Sequence, residues 1–323
     1  MLDKMFYDDS GGRAKNSQPP TPEVVCVGIV SPAEVYTVDR MPEWNTGATW
    51  SGRADYISED AAIVATSLKQ WGLNVGLVAN RLGDDPSGHN VLDELMTLGI
   101  TGHFELDTTL RTPYEIVFAD TSGGRTFVWD RRIEVLKTLS EADTSIIEGS
   151  RHVYADWYDW PHNSVALEEA QRNEIPVLIN MEDRYTDSRL ADDLLPHAST
   201  VQISLPEHDD TDPELVATHM LRKGVSSVLI TGASKGSKYI SGSESFSVKA
   251  PSVNLVDANG AGAVFSAGYL YGVTKGWDSK ESVRFGVAAA SIQCEVVGPT
   301  AANLEIVMET ASCLITRDRF GWT

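Results

Sequence analysis

The stretch Asp257-Ala258-Asn259-Gly260-Ala261-Gly262-Ala263-Val264-Phe265 carries the clearest chemistry in this chain. Leu255 and Val256 close a short apolar segment. Three small residues, Gly260, Ala261 and Gly262, let backbone N–H groups crowd together, and Ala263 to Gly272 then reads as a buried helix. A glycine-rich turn entering a helix N-terminus gathers unpaired N–H groups at the positive end of the helix dipole, which suits an anion and above all a phosphate. A bare Gly-Ala-Gly more often marks a tight turn ahead of a core helix, and by itself leaves both readings open.

The elements that must position this turn alternate along the chain. Val24 to Val30 is a continuous apolar run, the pattern of a strand buried on both faces. Ala61 to Trp71 reads as a helix closed by Gly72, Asn74 to Ala79 as a strand, and Gly88 to Leu98 as a helix ended by Gly99. Further strands are predicted at Val153–Ala155, Val177–Asn180, Thr200–Ser204 and Val228–Thr231. The intervening helices are Ser164–Arg172, Arg189–Leu195 and one begun by Pro213 and running to Leu221. Two long helices, about 279–296 and 301–311, complete the chain. This rhythm predicts an α/β fold with a parallel sheet covered on both faces.

The rhythm breaks between about 102 and 130. Tyr114–Ala119 and Thr126–Trp129 are strand-like and joined by good hairpin chemistry. With a strand-like segment at Val35–Val38 they could form a small separate sheet, the alternative being an ordinary loop excursion.

Composition bounds the rest. A chain of 323 residues with 42% hydrophobic content can bury a large core. Its net charge of −20 disfavours non-specific binding to nucleic acid or anionic membrane, both of which need positive potential. No apolar run is long enough to span a bilayer, and the start of the chain lacks a signal-peptide pattern, so a cytoplasmic protein is expected. Cys26, Cys294 and Cys313 show no metal spacing and read as reduced thiols. Residues 1–21, rich in Gly, Ser, Asn, Gln and Pro, are expected to be disordered, with a single domain over 22–323.

With these elements in place, Asp257 to Phe265 resembles the C-terminal signature of the ribokinase-like (PfkB) carbohydrate kinases, Asp-Thr/Ala-x-Gly-Ala-Gly-Asp-x-Phe. Two weaker motifs fall in the family's order: Gly83-Asp84-Asp85-Pro86-Ser87-Gly88 and Thr231-Gly232-Ala233-Ser234-Lys235-Gly236. The resemblance covers about residues 23–312 and implies a three-layer fold with a small β lid over the sugar site, at about 33–57 and 102–130. It implies ATP and Mg2+ as cofactors, with Thr231, Gly232, Lys235, Gly236 and Asn259 on the nucleotide side and Gly260, Ala261 and Gly262 as anion hole. It also implies a sugar or sugar-like substrate and a homodimer through the lid. Asp257, a turn-capping residue on the plain reading, would lie near a monovalent cation such as K+ held by carbonyls.

The departures from the pattern are as informative as the match. In the family the last Asp of the signature takes the proton from the attacking sugar hydroxyl; here that position is Ala263. The sugar-reading positions are Ala33 instead of Asp, Ser58 and Glu59 instead of Gly-Gly, and Ile63 instead of Asn. The Asn-x-x-Glu motif that supports Mg2+ reads Ser204-Leu205-Pro206-Glu207, retaining only Glu207. Losing a general base costs roughly 10²- to 10⁴-fold in rate. The expectation is therefore a kinase homologue that is inactive or very slow, either a phosphotransferase scaffold or a non-catalytic ligand-binding pseudokinase. A single engineered Asp-to-Ala change would account for Ala263 but not for the other positions.

Two further features have competing readings. Arg131 and Arg132 could face an anionic substrate or be salt-bridged. The segment Asp156-Trp157-Tyr158-Asp159-Trp160 follows a strand, where ligand loops sit, and its rings could stack on a ligand or form part of a dimer surface.

Overall fold

The computed structural model describes residues 21–120, 124–205 and 211–318; the expected disordered segment, apart from Thr21, and Glu207 lie outside them. The chain forms strands β1 (Val24–Gly28), β2 (Ser31–Val38), β3 (Trp50–Ser58), β4 (Val75–Ala79), β5 (Leu82–Gly83), β6 (Leu106–Asp107), β7 (Tyr114–Asp120) and β8 (Arg125–Asp130). The second half adds β9 (His152–Asp156), β10 (Val177–Glu182), β11 (Thr200–Ser204), β12 (Ser227–Thr231), β13 (Ser237–Ser241), β14 (Ser245–Val248) and β15 (Thr316–Asp318). The helices are α1 (Asp60–Gln70), α2 (Pro86–Thr97), α3 (Ile133–Thr138), α4 (Ser164–Arg172), α5 (Ser188–Leu194), α6 (Pro213–Arg222), α7 (Ala261–Thr274), α8 (Ser279–Gln293) and α9 (Leu304–Cys313).

Among the described residues the main sheet has the order β15-β14-β13-β12-β11-β10-β9-β1-β4. From β4 to β12 every pairing is parallel, and β13, β14 and β15 extend the edge in antiparallel register. The all-apolar composition of β1 and β4 follows from this arrangement, because each face is covered. Val24 and Cys26 point into one core with Ala61, Leu68, Phe265 and Phe285, while Val25 and Val27 point into the other with Leu167, Ile179 and Met220. Layers of α1, α7 and α8 on one side and α4, α5 and α6 on the other give the three-layer architecture expected.

The second sheet, in the order β3-β2-β7-β8, is the small sheet anticipated from the break in rhythm. It starts later than expected on its second side: Leu106–Asp107 pairs with Leu82–Gly83 instead of joining it. The strands β13 to β15 are not evident in the sequence pattern, because Ser237-Lys238-Tyr239-Ile240-Ser241 mixes polar and apolar residues although most of it is buried. The two C-terminal helices are shorter than predicted: α8 stops at Gln293, and Asn303 accepts the Glu305 amide at 2.8 Å to start α9 at Leu304.

Helix α7 is held in place by close packing on α8. A Cβ on Gly268 would lie 2.6 Å from the Cα of Gly286, so the helices cross almost backbone to backbone. This contact sets the height of the α7 N-terminus above the sheet.

Candidate active site

The turn before α7 is built by its own side chains and by the loop after α8. Asp257, fully buried, accepts the Asn259 amide at 2.8 Å through Oδ1 and the Gly298 amide at 2.9 Å through Oδ2. Gly260 has φ +73°, and a Cβ there would lie 2.4 Å from Pro299 Cβ, so both conformation and space demand glycine. Val264 donates to the Gly260 carbonyl at 2.9 Å, whereas the amides of Gly262 and Ala263 have no partner among the described residues. A Cβ on Gly262 would meet only Gln202 Nε2, at 3.7 Å. An open face with unpaired N–H groups at a helix N-terminus is what an anion hole requires.

Gln202, buried in the middle of β11, fixes this turn over the sheet. Its Nε2 donates to the Gly262 carbonyl at 3.1 Å, and its Oε1 accepts from Ser266 at 2.6 Å. Thr231 ends the next strand, opposite Ser204, with their hydroxyls 3.2 Å apart. Beyond it the chain turns back on itself: Gly232 donates to the Gly236 carbonyl at 2.9 Å and Lys235 to the Gly232 carbonyl at 3.0 Å. Thr231, Gly232, Lys235 and Gly236 thus stand one strand away from the strand that carries the α7 turn. Asn259, also expected on the nucleotide side, commits its side-chain amide to the Tyr56 hydroxyl at 2.7 Å, joining the turn to the small sheet. Arg125 of that sheet adds a second link, donating to the Ala258 carbonyl at 3.1 Å.

Of the altered sugar-side positions, Ile63, on α1, lies beside this turn: its Cδ1 is 3.3 Å from where a Gly260 Cβ would stand. Ala263 is 1% exposed and Ile63 4%, and both belong to the apolar core. Ala33 lies on β2 between Tyr56 of β3 and Glu115 of β7. Glu115 takes the Ser58 hydroxyl at 2.8 Å and the Trp129 ring N–H. Glu59, with φ +78°, is buried in an ion pair with Arg131 and accepts from Ser31 at 3.3 Å. Arg131 lies over the rings of Trp129 and Tyr158, 5.4 and 5.5 Å from their centroids. The paired arginines are therefore salt-bridged, Arg131 to Glu59 and Arg132 to Asp130. The aromatic loop is bound to protein partners as well: Tyr158 accepts the Asp60 amide at 2.9 Å and Trp157 donates to Glu182 at 3.0 Å.

Sequence reasoning missed Asp60, and singled out the segment of Asp156 and Asp159 for its rings instead of its acids. Asp60, partly exposed at the start of α1, accepts from Asn180 at 3.1 Å. Burial, followed by the charges of Glu182 and Glu59, pushes its carboxyl up to about 8. Asp156 is fully buried and accepts from Tyr154 at 2.7 Å; burial and the nearby Asp60 and Asp159 push it well above the carboxylate range. Asp159 accepts the Ile29 amide at 3.1 Å and is likewise raised, by burial and then by Glu59. Among the described residues no group of three His, Cys, Asp or Glu is arranged to hold a metal ion. The available signal was a polar residue, Asn180, within an otherwise apolar run of β10.

The chain matches the family model described as pfkB family carbohydrate kinase over residues 59–306. It belongs to that family. Among curated PfkB relatives and similar proteins, it is 25% identical over 240 residues to fructoselysine 6-kinase of Escherichia coli K12, covering 72% of this chain and 87% of that one. It is 23% identical over 288 residues to the adenosine kinase of Saccharomyces cerevisiae, covering 81% and 82%. Among solved structures, the ribokinase of Giardia lamblia superimposes with a TM-score of 0.78 at 18% identity, covering 90% of this chain and 99% of that one. The Arabidopsis thaliana ribokinase complexed with ribose and ATP gives 0.71 at 18% identity, with the same coverage. These likenesses establish the ribokinase-like fold.

Proposed function

We propose that this chain is a PfkB carbohydrate-kinase scaffold whose phosphoryl transfer to a sugar or sugar-like alcohol is abolished or very slow, and which serves as a ligand-binding or regulatory pseudokinase. The observation that carries this reading is Ala263. It occupies the position at which the family places its general base, and it is buried against the core beside Ile63, with no group able to take a proton. That Ile63, Ala33 and Glu59 all depart from the family pattern favours a redirected pocket over a single engineered alanine.

The anion hole is a different matter, because it is made of backbone. The open amides of Gly262 and Ala263 and the small residues Gly260 and Ala261 fit a phosphate, and ATP would bring its phosphates there with its base toward Thr231, Gly232 and Gly236. When bound, ATP supplies the transferable phosphoryl group and Mg2+ supplies charge neutralisation. The chain's own residues orient the phosphates through N–H donors and the helix dipole. The side chains at the two family positions, Ile63 and Ala263, neither align a hydroxyl nor remove its proton. The lid-side residues close the pocket with the Glu59–Arg131 pair. Cytoplasmic location and a homodimer through the small sheet complete the reading by family resemblance. Among the described residues no helix is long and apolar enough to cross a membrane.

Isothermal calorimetry with ATP and Mg2+, run beside an ADP-release assay over a sugar and nucleoside panel, tests this directly. Binding without turnover is expected. Turnover at ordinary kinase rates overturns the reading, and absence of ATP binding at millimolar concentration removes the nucleotide part of it.

A further inference from the structure

The resemblance to PfkB kinases led to the expectation of a monovalent cation near Asp257, held by backbone carbonyls, and the structure contains such a convergence of carbonyls. The Asp257, Asn259 and Gly298 carbonyl oxygens surround one point, from the turn before α7 and from the loop after α8. That point is filled by a side chain. Gln293, the last residue of α8 and fully buried, places its Nε2 3.0 Å from the Asn259 oxygen, 3.2 Å from the Gly298 oxygen and 3.5 Å from the Asp257 oxygen.

The amide can face only one way. Turned over, Gln293 would press its own carbonyl oxygen against three others, with no proton between them. In the orientation present, Oε1 has no partner among the described residues, so the side chain accepts the penalty of an unsatisfied acceptor in order to serve the carbonyls. Both carboxylate oxygens of Asp257 are taken by backbone amides and add no further pull. The residues present therefore do not fit a K+ ion: its place between the carbonyls is taken by a group that carries N–H donors.

We propose that Gln293 is a built-in substitute for a monovalent cation, its amide doing for the three carbonyls what a K+-type ion does by replacing water around carbonyl oxygens. The turn that forms the anion hole is thereby braced to α8 permanently, and its order does not respond to the ionic composition of the medium. This holds whether or not the chain transfers phosphate.

The test is thermal unfolding of the full chain in KCl, NaCl and choline chloride at matched ionic strength, for the natural protein and for Gln293→Ala. The natural protein is expected to melt at the same temperature in all three. Gln293→Ala is expected to melt lower in choline by roughly 4–8 °C, through lost hydrogen bonds and a cavity, and to regain most of that in KCl, where K+ can enter the vacated carbonyl ring. Gln293→Leu, which keeps the volume without the donors, is expected to be destabilised and unresponsive to K+. A saturable K+ stabilisation of the natural protein overturns the proposal, as does a Gln293→Ala protein whose melting is the same in KCl and choline. If the variants do not fold, the natural protein's response to K+ still decides.

Discussion

The two sides of the cleft have been treated differently. On the α7 side the signature pattern is kept except at its last position, Ala263, and what it supplies is backbone: a glycine at φ +73°, an Asp whose oxygens hold two amides, and unpaired N–H groups at a helix start. On the α1 and small-sheet side the contacts are made by a network of side chains, Glu59 with Arg131, Glu115 with Ser58 and Trp129, Asp60 with Asn180. Function carried by backbone geometry constrains residue types tightly, since only glycine and small residues allow it. Function carried by side chains can be exchanged for other packing once its substrate no longer matters. The contrast fits a protein that keeps a place for an anion and has rebuilt the place for an acceptor.

The contrast can be broken most sharply at Gly260. Gly260→Val puts a branched side chain at a left-handed position and against Pro299, and is expected to cost about 3 kcal/mol or more and to abolish ATP binding; denaturant unfolding and calorimetry check both. If the turn tolerates it, the α7 side is not a rigid backbone device.

On the other side, Arg131→Ala leaves Glu59 buried without its counter-charge. A loss of about 2–3 kcal/mol is expected, less than for a fully buried pair because Arg131 is partly exposed, and Glu59→Gln in the same background should recover part of it. Absence of any recovery would show that the pair is not what closes the lid side.

A smaller effect distinguishes the acids. Burial, with Glu182 and Glu59 nearby, pushes the Asp60 carboxyl up to about 8 in the fold, against about 3.9 when unfolded, so between these values the native state holds a proton that the unfolded state has released. Its favourable contribution is complete below the unfolded value and is lost as pH rises to about 8. Asp156, Asp159 and Glu59 are raised as well and act in the same direction. Melting temperature should therefore fall as pH rises through this window. Asp60→Asn should flatten the slope and raise stability at pH 8–9 by about 1 kcal/mol. A steeper slope in the variant would contradict the assignment. The smallest effect is expected at Ser266→Ala, which removes the hydrogen bond to Gln202 Oε1 and should cost about 1 kcal/mol while leaving α7 in place.

Much of the fold was legible because continuous apolar strands and glycine-closed helices are strong local signals: β1, β4 and α1 stand where the pattern put them. The strands β13 to β15 were not, since Ser237-Lys238-Tyr239-Ile240-Ser241 and Ser245-Phe246-Ser247-Val248 carry two serines each and little hydrophobic contrast. Within the site, Gly260 to Gly262 could be read from residue type alone, because the backbone conformation dictates it. Glu59, Ile63 and Ala33 could be placed by spacing, but their partners could not: nothing near Glu59 in sequence announces Arg131, which is seventy-two residues away. Gln293 was hidden for the same reason. A glutamine at the end of a helix looks like surface until the loop and turn it joins are folded around it.

The central claim is that the acceptor side has lost its base while the anion side survives, and the ADP-release rate of the unmodified chain with ATP, Mg2+ and a broad sugar and nucleoside panel measures it most directly. The account predicts a rate at least ~10²-fold below the 1–100 s⁻¹ typical of kinases for every acceptor tried. A single acceptor phosphorylated within that ordinary range would contradict it and require another residue to serve as base.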